Sequence, residues 1–319
     1  MDQMKIEAMI AAIESMDGET LAAMMPPSPD PSTYLNEYPH LREVETRDVA
    51  VAGPHGEVPC RTYRHPTAGG GAALVWVHGG GFVGGDLDMP EAHWVSLALA
   101  AQGIGVLSVD YRKCIAGVRY PIPSDDVLAA WAWAVEHVAE LGATAARLHL
   151  GGASAGGSLT AGVTKRLRDT EDALPATLVL VYPTLHPELL RPDGEADGDT
   201  MGDTMGETTP DPAAGIMRWM NLNYAGSEAL LGDPYAFPGF GDLSGQPPVY
   251  ILNSDNDPLR PSGERYGKGL AAAGVPVTVE FEPGTGHGHL NEPLQPAASA
   301  SIERIAAWIE QQDRSAIVS

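Results

Sequence analysis

Residues 4–25 set Met4, Ile6, Met9, Ile10 and Ile13 at helical spacing, which predicts a helix with one apolar face. Pro26-Pro27-Ser28-Pro29-Asp30-Pro31 stops it, because proline has no amide donor and crowds the preceding turn. From about residue 57 the pattern changes, and short β-branched runs alternate with longer helical ones. The predicted strands are Leu74–His78, Ile104–Val109, Arg147–Gly151, Thr177–Tyr182, Val249–Asn253 and Val275–Phe281. The predicted helices are Glu91–Ala101, Ser124–Leu141, Gly157–Arg168, Ser262–Ala273 and Ala297–Gln312. Near-continuous apolar strands separated by amphipathic helices predict a mostly parallel sheet covered on both faces.

Residues 187–215 break the alternation. Asp193, Glu195, Asp197, Asp199, Asp203, Glu207 and Asp211 stand among glycines, with Arg191 the one basic residue. Self-repulsion and low hydrophobicity predict a mobile surface insertion there. The repeat Gly-Asp-Thr-Met-Gly-Asp-Thr-Met-Gly at 198–206 is too short to be architectural, and its acids do not follow the helix–loop–helix calcium spacing.

Composition narrows the function. The 319 residues are 44% hydrophobic, enough for a sizeable core. Against 19 Lys and Arg stand 42 Asp and Glu, a net charge of −23, so nucleic acid and anionic membranes are poor partners. The same field weakly favours neutral or cationic substrates. Cys60 and Cys114 have no metal-ligand spacing, so neither a zinc site nor a disulfide framework is predicted. No run of 18 apolar residues predicts a transmembrane span, and Met1-Asp2-Gln3-Met4-Lys5 does not open a signal peptide. The expectation is a soluble cytoplasmic protein.

Candidate chemistry gathers at strand ends. Gly152-Ala153-Ser154-Ala155-Gly156 follows the apolar Leu148-His149-Leu150 and precedes a helical run. A sharp strand-to-helix turn needs small neighbours, lifts the serine hydroxyl above the sheet edge and aims the next helix at it. His78-Gly79-Gly80-Gly81-Phe82 follows Leu74-Val75-Trp76-Val77. Glycines there let backbone N–H groups approach a ligand oxygen closely, as an oxyanion hole requires. A serine nucleophile also needs a base and an orienting acid. The acid candidates are Asp255 and Asp257, and the base candidates are His287 and His289, each pair in a loop after a predicted strand. Serine, acid, histidine is the α/β-hydrolase order. His40, His55, His65 and His137 read as surface or structural residues.

These segments, with Asp257-Pro258-Leu259-Arg260 and His287-Gly288, resemble the signature set of the hormone-sensitive-lipase-type carboxylesterases. Asp110-Tyr111-Arg112, Tyr120-Pro121 and Asp125-Asp126 echo a further family segment, and the similarity covers roughly residues 50–312. The resemblance implies an α/β-hydrolase fold with Ser154 as nucleophile, Asp257 as orienting acid and His287 as base. Gly80, Gly81 and Ala155 would supply the oxyanion N–H groups, Gly79 being a weaker candidate, and His78 would brace the loop. It also implies a cap from residues 1–50 and about 184–225, on a catalytic domain spanning 51–319. Ala153, Pro261 and His289 depart from common family residues.

The expected activity is hydrolysis of short- to medium-acyl carboxylic esters through an acyl-enzyme, with no metal or organic cofactor. Met24, Met25, Tyr34, Trp219 and Met220 are candidates for the pocket or for the cap's own core. An amidase or deacylase would use the same triad, and a ligand receptor on a decayed scaffold would usually lose a member of it. The expected partner is a small ester; sheet-edge homodimers are common among similar proteins, but no residue pattern here demonstrates one.

Overall fold

The apolar runs marked as strands pair into one sheet of eight, with two strands ahead of them. The computed structural model describes residues 28–67, 71–192 and 212–318. The helix predicted over 4–25 and most of the acidic segment lie outside these residues. The strands are β1 (Glu45–Gly53), β2 (Gly56–Arg64), β3 (Gly71–Val77), β4 (Ile104–Val109), β5 (Ala143–Ala153), β6 (Leu178–Val181), β7 (Val249–Ser254) and β8 (Val277–Glu282). Their order is β1-β2-β4-β3-β5-β6-β7-β8. β2 pairs antiparallel with β1 and β4, and every other pairing is parallel.

The β1–β2 hairpin is absent from the predicted strands for a physical reason. β1 lies at the sheet edge and fully buries only Val51, so its sequence carries little apolar signal. β2 contains Pro59, a residue that argues against a strand unless it sits near an edge or in an irregular pairing.

Helices cover both faces: α1 (Ser32–Glu37), α2 (His93–Ala101), α3 (Ile122–Glu136), α4 (Ala155–Asp169), α5 (Pro212–Ala225), α6 (Arg260–Ala272) and α7 (Pro296–Val318). Alternation along each strand divides the core in two. Val75, Val77, Leu150, Leu180 and Ile251 pack on one side with Val127 and Trp131 of α3 and Leu159 and Val163 of α4. Leu74, Trp76, Val179, Val181 and Leu252 pack on the other with Trp94 of α2 and Ile302, Ile305 and Ile309 of α7. Each such side chain, fully buried, contributes about 1.5–3 kcal/mol, so both layers are needed to hold the strands.

Topology then chooses the place for a site. From β3 the chain steps to β4 on one side and returns to β5 on the other. The direction reverses between β3 and β5, and open α/β sheets bind ligands in the crevice outside such a point. Ser154 and the glycine loop leave the sheet there.

Candidate active site

The turn after β5 is tight because nothing larger than hydrogen fits at its glycines. A Cβ on Gly156 would stand 2.1 Å from the Val77 carbonyl oxygen, and one on Gly152 would stand 2.6 Å from that of Gly156. Between them Ser154 adopts φ 50° and ψ −118°, a strained region for an L-residue that costs on the order of 1–3 kcal/mol. Its N–H donates to the Val181 carbonyl at 2.9 Å, which holds the strain in place. Ala155 begins α4 directly under the hydroxyl, so the positive end of that helix faces it.

Three candidates meet in a line. Ser154 Oγ lies 2.9 Å from His287 Nε2. His287 Nδ1 lies 2.7 Å from Asp257 Oδ2. A carboxylate accepts only, so the proton sits on Nδ1, and Nε2 is left to accept from the serine hydroxyl. The Asp257 side chain is 1% exposed, and its other oxygen accepts the Leu259 N–H at 2.9 Å. Surrounding protein disfavours the charged imidazole, but the hydrogen bond and charge of Asp257, with the charge of Glu91, raise the His287 pKa above its ordinary value.

The rival residues are occupied elsewhere. His289 is buried, with Nδ1 2.9 Å from Ser254 Oγ and Nε2 2.8 Å from Ser301 Oγ. Burial, with Arg304 and His287 nearby, pushes its pKa down to about 4. Asp255 pairs with Arg260 at 2.8 Å and accepts the Gly284 N–H at 2.9 Å, so it shapes the loop. Of the other histidines, His55 contacts Asp125 at 2.9 Å and His137 stacks on Trp133.

The glycine loop after β3 is braced from below. His78 is fully buried and stacks on Tyr111 at 4.9 Å. Its Nδ1–H and the Tyr111 hydroxyl both donate to the Gly79 carbonyl, each at 2.8 Å. Burial and the charge of Lys113 lower the His78 pKa, in keeping with a neutral ring whose Nε2 accepts from Lys113 Nζ at 3.3 Å. Gly80 has φ 102°, and a Cβ there would lie 2.2 Å from the Gly84 carbonyl oxygen. Among the described residues, no protein acceptor takes the N–H groups of Gly80, Gly81 or Ala155. Gly79 differs, since its N–H donates to Glu91 Oε2 at 2.5 Å.

The candidate pocket residues separate. Met220 of α5 stands over the loop, its sulfur 2.5 Å from where a Cβ on Gly81 would be. Met217, one helical turn away, clusters with Leu189, Leu259 and Ala214. Tyr34 belongs to the core beneath α2, Trp219 is buried, and Met24 and Met25 lie outside the described residues. Both cysteines are buried free thiols, and burial pushes each up to about 12. Among the described residues no three or more His, Cys, Asp or Glu side chains gather as a metal-holding group.

The pattern did not mark Glu91, Tyr182 or Asn291. Glu91 reads as the first residue of an amphipathic helix and Tyr182 as the end of an apolar strand. Nothing local to either signals that they meet at 2.5 Å.

Comparison with known proteins agrees with this architecture. A family model described as the alpha/beta hydrolase fold matches residues 74–291. The chain is 36% identical over 274 residues to Esterase LipI of Mycobacterium tuberculosis, spanning 84% of this chain and 81% of that one. It is 36% identical over 235 residues to the Ethyl acetate hydrolase of Pseudomonas putida, spanning 72% and 70%. A solved esterase from Pyrobaculum calidifontis superposes with a TM-score of 0.75 at 27% identity, over 94% of each chain. With its doubly covered sheet and the serine turn and glycine loop at the reversal point, the chain belongs to the α/β-hydrolase fold family, among the hormone-sensitive-lipase-type carboxylesterases.

Proposed function

We propose that this carboxylester hydrolase works through Ser154, His287 and Asp257, with Gly80, Gly81 and Ala155 as oxyanion donors, on short- to medium-acyl esters. The observation that carries the reading is the continuous pair of contacts, 2.9 Å from Ser154 Oγ to His287 Nε2 and 2.7 Å from His287 Nδ1 to Asp257 Oδ2.

The chemistry follows from these contacts. His287 Nε2 takes the serine proton as Ser154 Oγ attacks the acyl carbon. Negative charge develops on the former carbonyl oxygen, toward the unclaimed N–H groups of Gly80, Gly81 and Ala155; each such donor is typically worth about 3–4 kcal/mol. Asp257 holds the Nδ1–H tautomer and stabilises the imidazolium, which protonates the departing alcohol. Water activated by the same imidazole then releases the acid and frees Ser154. Because the base must be neutral, kcat/KM falls as pH drops through the raised His287 pKa.

Met220 above the loop and the Met217–Leu189–Leu259 cluster support a confined acyl site within a cap built from the N-terminal segment and the insertion at about 184–225. The short-acyl preference also rests on the likeness to an ethyl acetate hydrolase. Two buried free thiols suit a reducing cytoplasm.

The test is labelling by a fluorophosphonate together with turnover of a p-nitrophenyl ester series. Stoichiometric labelling that vanishes in Ser154→Ala, with turnover falling at least 10³-fold, is expected on the order of triad knockouts. A labelled Ser154→Ala would refute the assignment. A matching anilide hydrolysed faster than the ester would move the reading to an amidase.

A further inference from the structure

Glu91 is a buried carboxylate immediately behind the proposed nucleophile. The residue is 2% exposed. Oε2 accepts the Gly79 N–H at 2.5 Å, and Oε1 accepts the Tyr182 hydroxyl at 2.5 Å and Asn291 Nδ2 at 3.3 Å. Three donors converging on two oxygens is what a carboxylate accepts and a protonated acid would not need. The backbone of Glu91 is tied down as well: its N–H donates to Asn291 Oδ1 at 3.2 Å, and its carbonyl accepts the Trp76 indole at 2.8 Å. A Cβ on Gly79 would lie 2.7 Å from Glu91 Oε2 and 3.0 Å from Ser154 Cβ. One glycine therefore separates this carboxylate from the serine.

We propose that Glu91 is a positioning residue for the oxyanion loop and a second negative charge facing His287, a role that rests on the triad reading above. The peptide geometry supplies the first half. Glu91 fixes the His78–Gly79 peptide through the Gly79 N–H. Tyr111 and His78 fix the next peptide through the Gly79 carbonyl. A trans peptide points its N–H opposite its C=O, so the Gly80 N–H is turned away from these braces and into the crevice before substrate arrives. Pre-aimed donors need no reorganisation when charge develops.

The second half joins the loop to the base. Tyr182, held by Glu91, packs T-shaped against both imidazoles, its ring centre 5.1 Å from that of His287 and 5.2 Å from that of His289. The groups facing His287 are Asp257 from the loop after β7, Glu91 from the turn before α2, Tyr182 after β6 and His289 from its own loop, the last with Arg304 of α7 behind it. Among them Asp257 and Glu91 raise the His287 pKa. Removing the Glu91 charge thus moves the acid limb of kcat/KM to lower pH, because more acid is then needed to protonate the imidazole.

Two variants separate the two effects. Glu91→Gln offers an oxygen to the Gly79 N–H and an amide to the Tyr182 oxygen, so it removes the charge and keeps the brace on Gly79, giving up only the 3.3 Å contact with Asn291 Nδ2. Glu91→Ala removes both. With p-nitrophenyl acetate from pH 5 to 9, Glu91→Gln is expected to keep plateau kcat within about tenfold while its acid limb shifts down. Glu91→Ala should shift the limb likewise and lose kcat about 10–100-fold at nearly constant KM, somewhat less than deletion of a whole oxyanion donor. Should Glu91→Ala fail to fold, the Glu91→Gln limb alone decides. The proposal is overturned if both limbs stay at the wild-type pH, or if Glu91→Ala loses only thermal stability with kcat intact. Fluorophosphonate titration of the wild type keeps this apart from the triad: labelling at Ser154 with unaltered Glu91 variants sinks only the Glu91 role, whereas no labelling at Ser154 sinks the triad.

Discussion

Replacing Asp257 by asparagine tests the relay with almost no change of shape. Asp257 Oδ1 accepts the Leu259 N–H at 2.9 Å and Oδ2 accepts the His287 Nδ1–H at 2.7 Å. Asparagine can keep the Leu259 bond only by turning its amide NH2 toward Nδ1. The imidazole must then accept at Nδ1 and carry its proton on Nε2, facing Ser154, where it cannot take the serine proton. The other amide flip restores the tautomer but sets NH2 against the Leu259 N–H, leaving buried donors unpaired at about 1–3 kcal/mol. That alone removes about 5–150-fold from the productive population, at 1.4 kcal/mol per tenfold. The missing charge adds to it. A pair at about 4 Å and an effective dielectric near 20 interacts by about 4 kcal/mol, roughly half of which survives screening at a histidine open to solvent on one side. Together the two effects lower kcat about 10³-fold, below the ~10⁴ recorded for the same change in serine proteases. The assay is kcat, KM and the pH profile on a p-nitrophenyl ester, with Asp255→Asn as control. Because Asp257 raises the His287 pKa, the residual activity should show its acid limb at lower pH. Asp255→Asn should stay within about threefold, since it loses contacts only to Arg260 and Gly284. An Asp257→Asn enzyme retaining a tenth of wild-type kcat, beside an inactive Asp255→Asn, would refute the relay as drawn.

Met220→Ala clears the space above Gly81 and should raise kcat/KM for longer acyl chains relative to acetate by about tenfold, the worth of one or two methylenes in an apolar pocket; an unchanged chain-length profile across p-nitrophenyl esters would place the acyl group elsewhere. Asp313→Asn unpairs the clasp between α7 and β5, where Asp313 meets Arg147 at 2.7 Å and His149 at 3.3 Å, and should cost about 2–3 kcal/mol by denaturant titration at neutral pH. Burial opposes the Asp313 charge, but His149 and Arg147 hold its pKa below the usual carboxylate range. That stability is therefore present above the usual range and lost as pH falls through the lowered value, so wild type and variant should converge in acid.

The central strands were legible because both of their faces are buried. Leu74, Val75, Trp76 and Val77 are each 0% exposed, and a four-residue run with no polar member can hardly be anything but a covered strand. The β1–β2 hairpin was not, since an edge strand that buries one side chain looks like a polar loop and Pro59 argues against a ladder. The parallel sheet was thus visible in composition alone, while its antiparallel edge exists only through pairing with β4.

At the site the limit was of another kind. Ser154 and the glycine loop announce themselves because close approach excludes side chains, and that exclusion is written as glycine. Choosing between His287 and His289 needs the third dimension. The two are separated by one glycine, yet Gly288 adopts a left-handed φ of 77°, and the two imidazoles, each T-shaped against Tyr182, take different polar partners. His287 then reaches the serine, and His289 is locked between Ser254 and Ser301. Glu91 lay beyond any such signal, because its partners Gly79, Tyr182 and Asn291 come from three separate stretches of chain. A nucleophile turn is encoded locally, as steric necessity within five residues. The polar frame of Glu91, Tyr182 and Asn291 behind the glycine loop is encoded only by the packing of the sheet, so it leaves no motif to find.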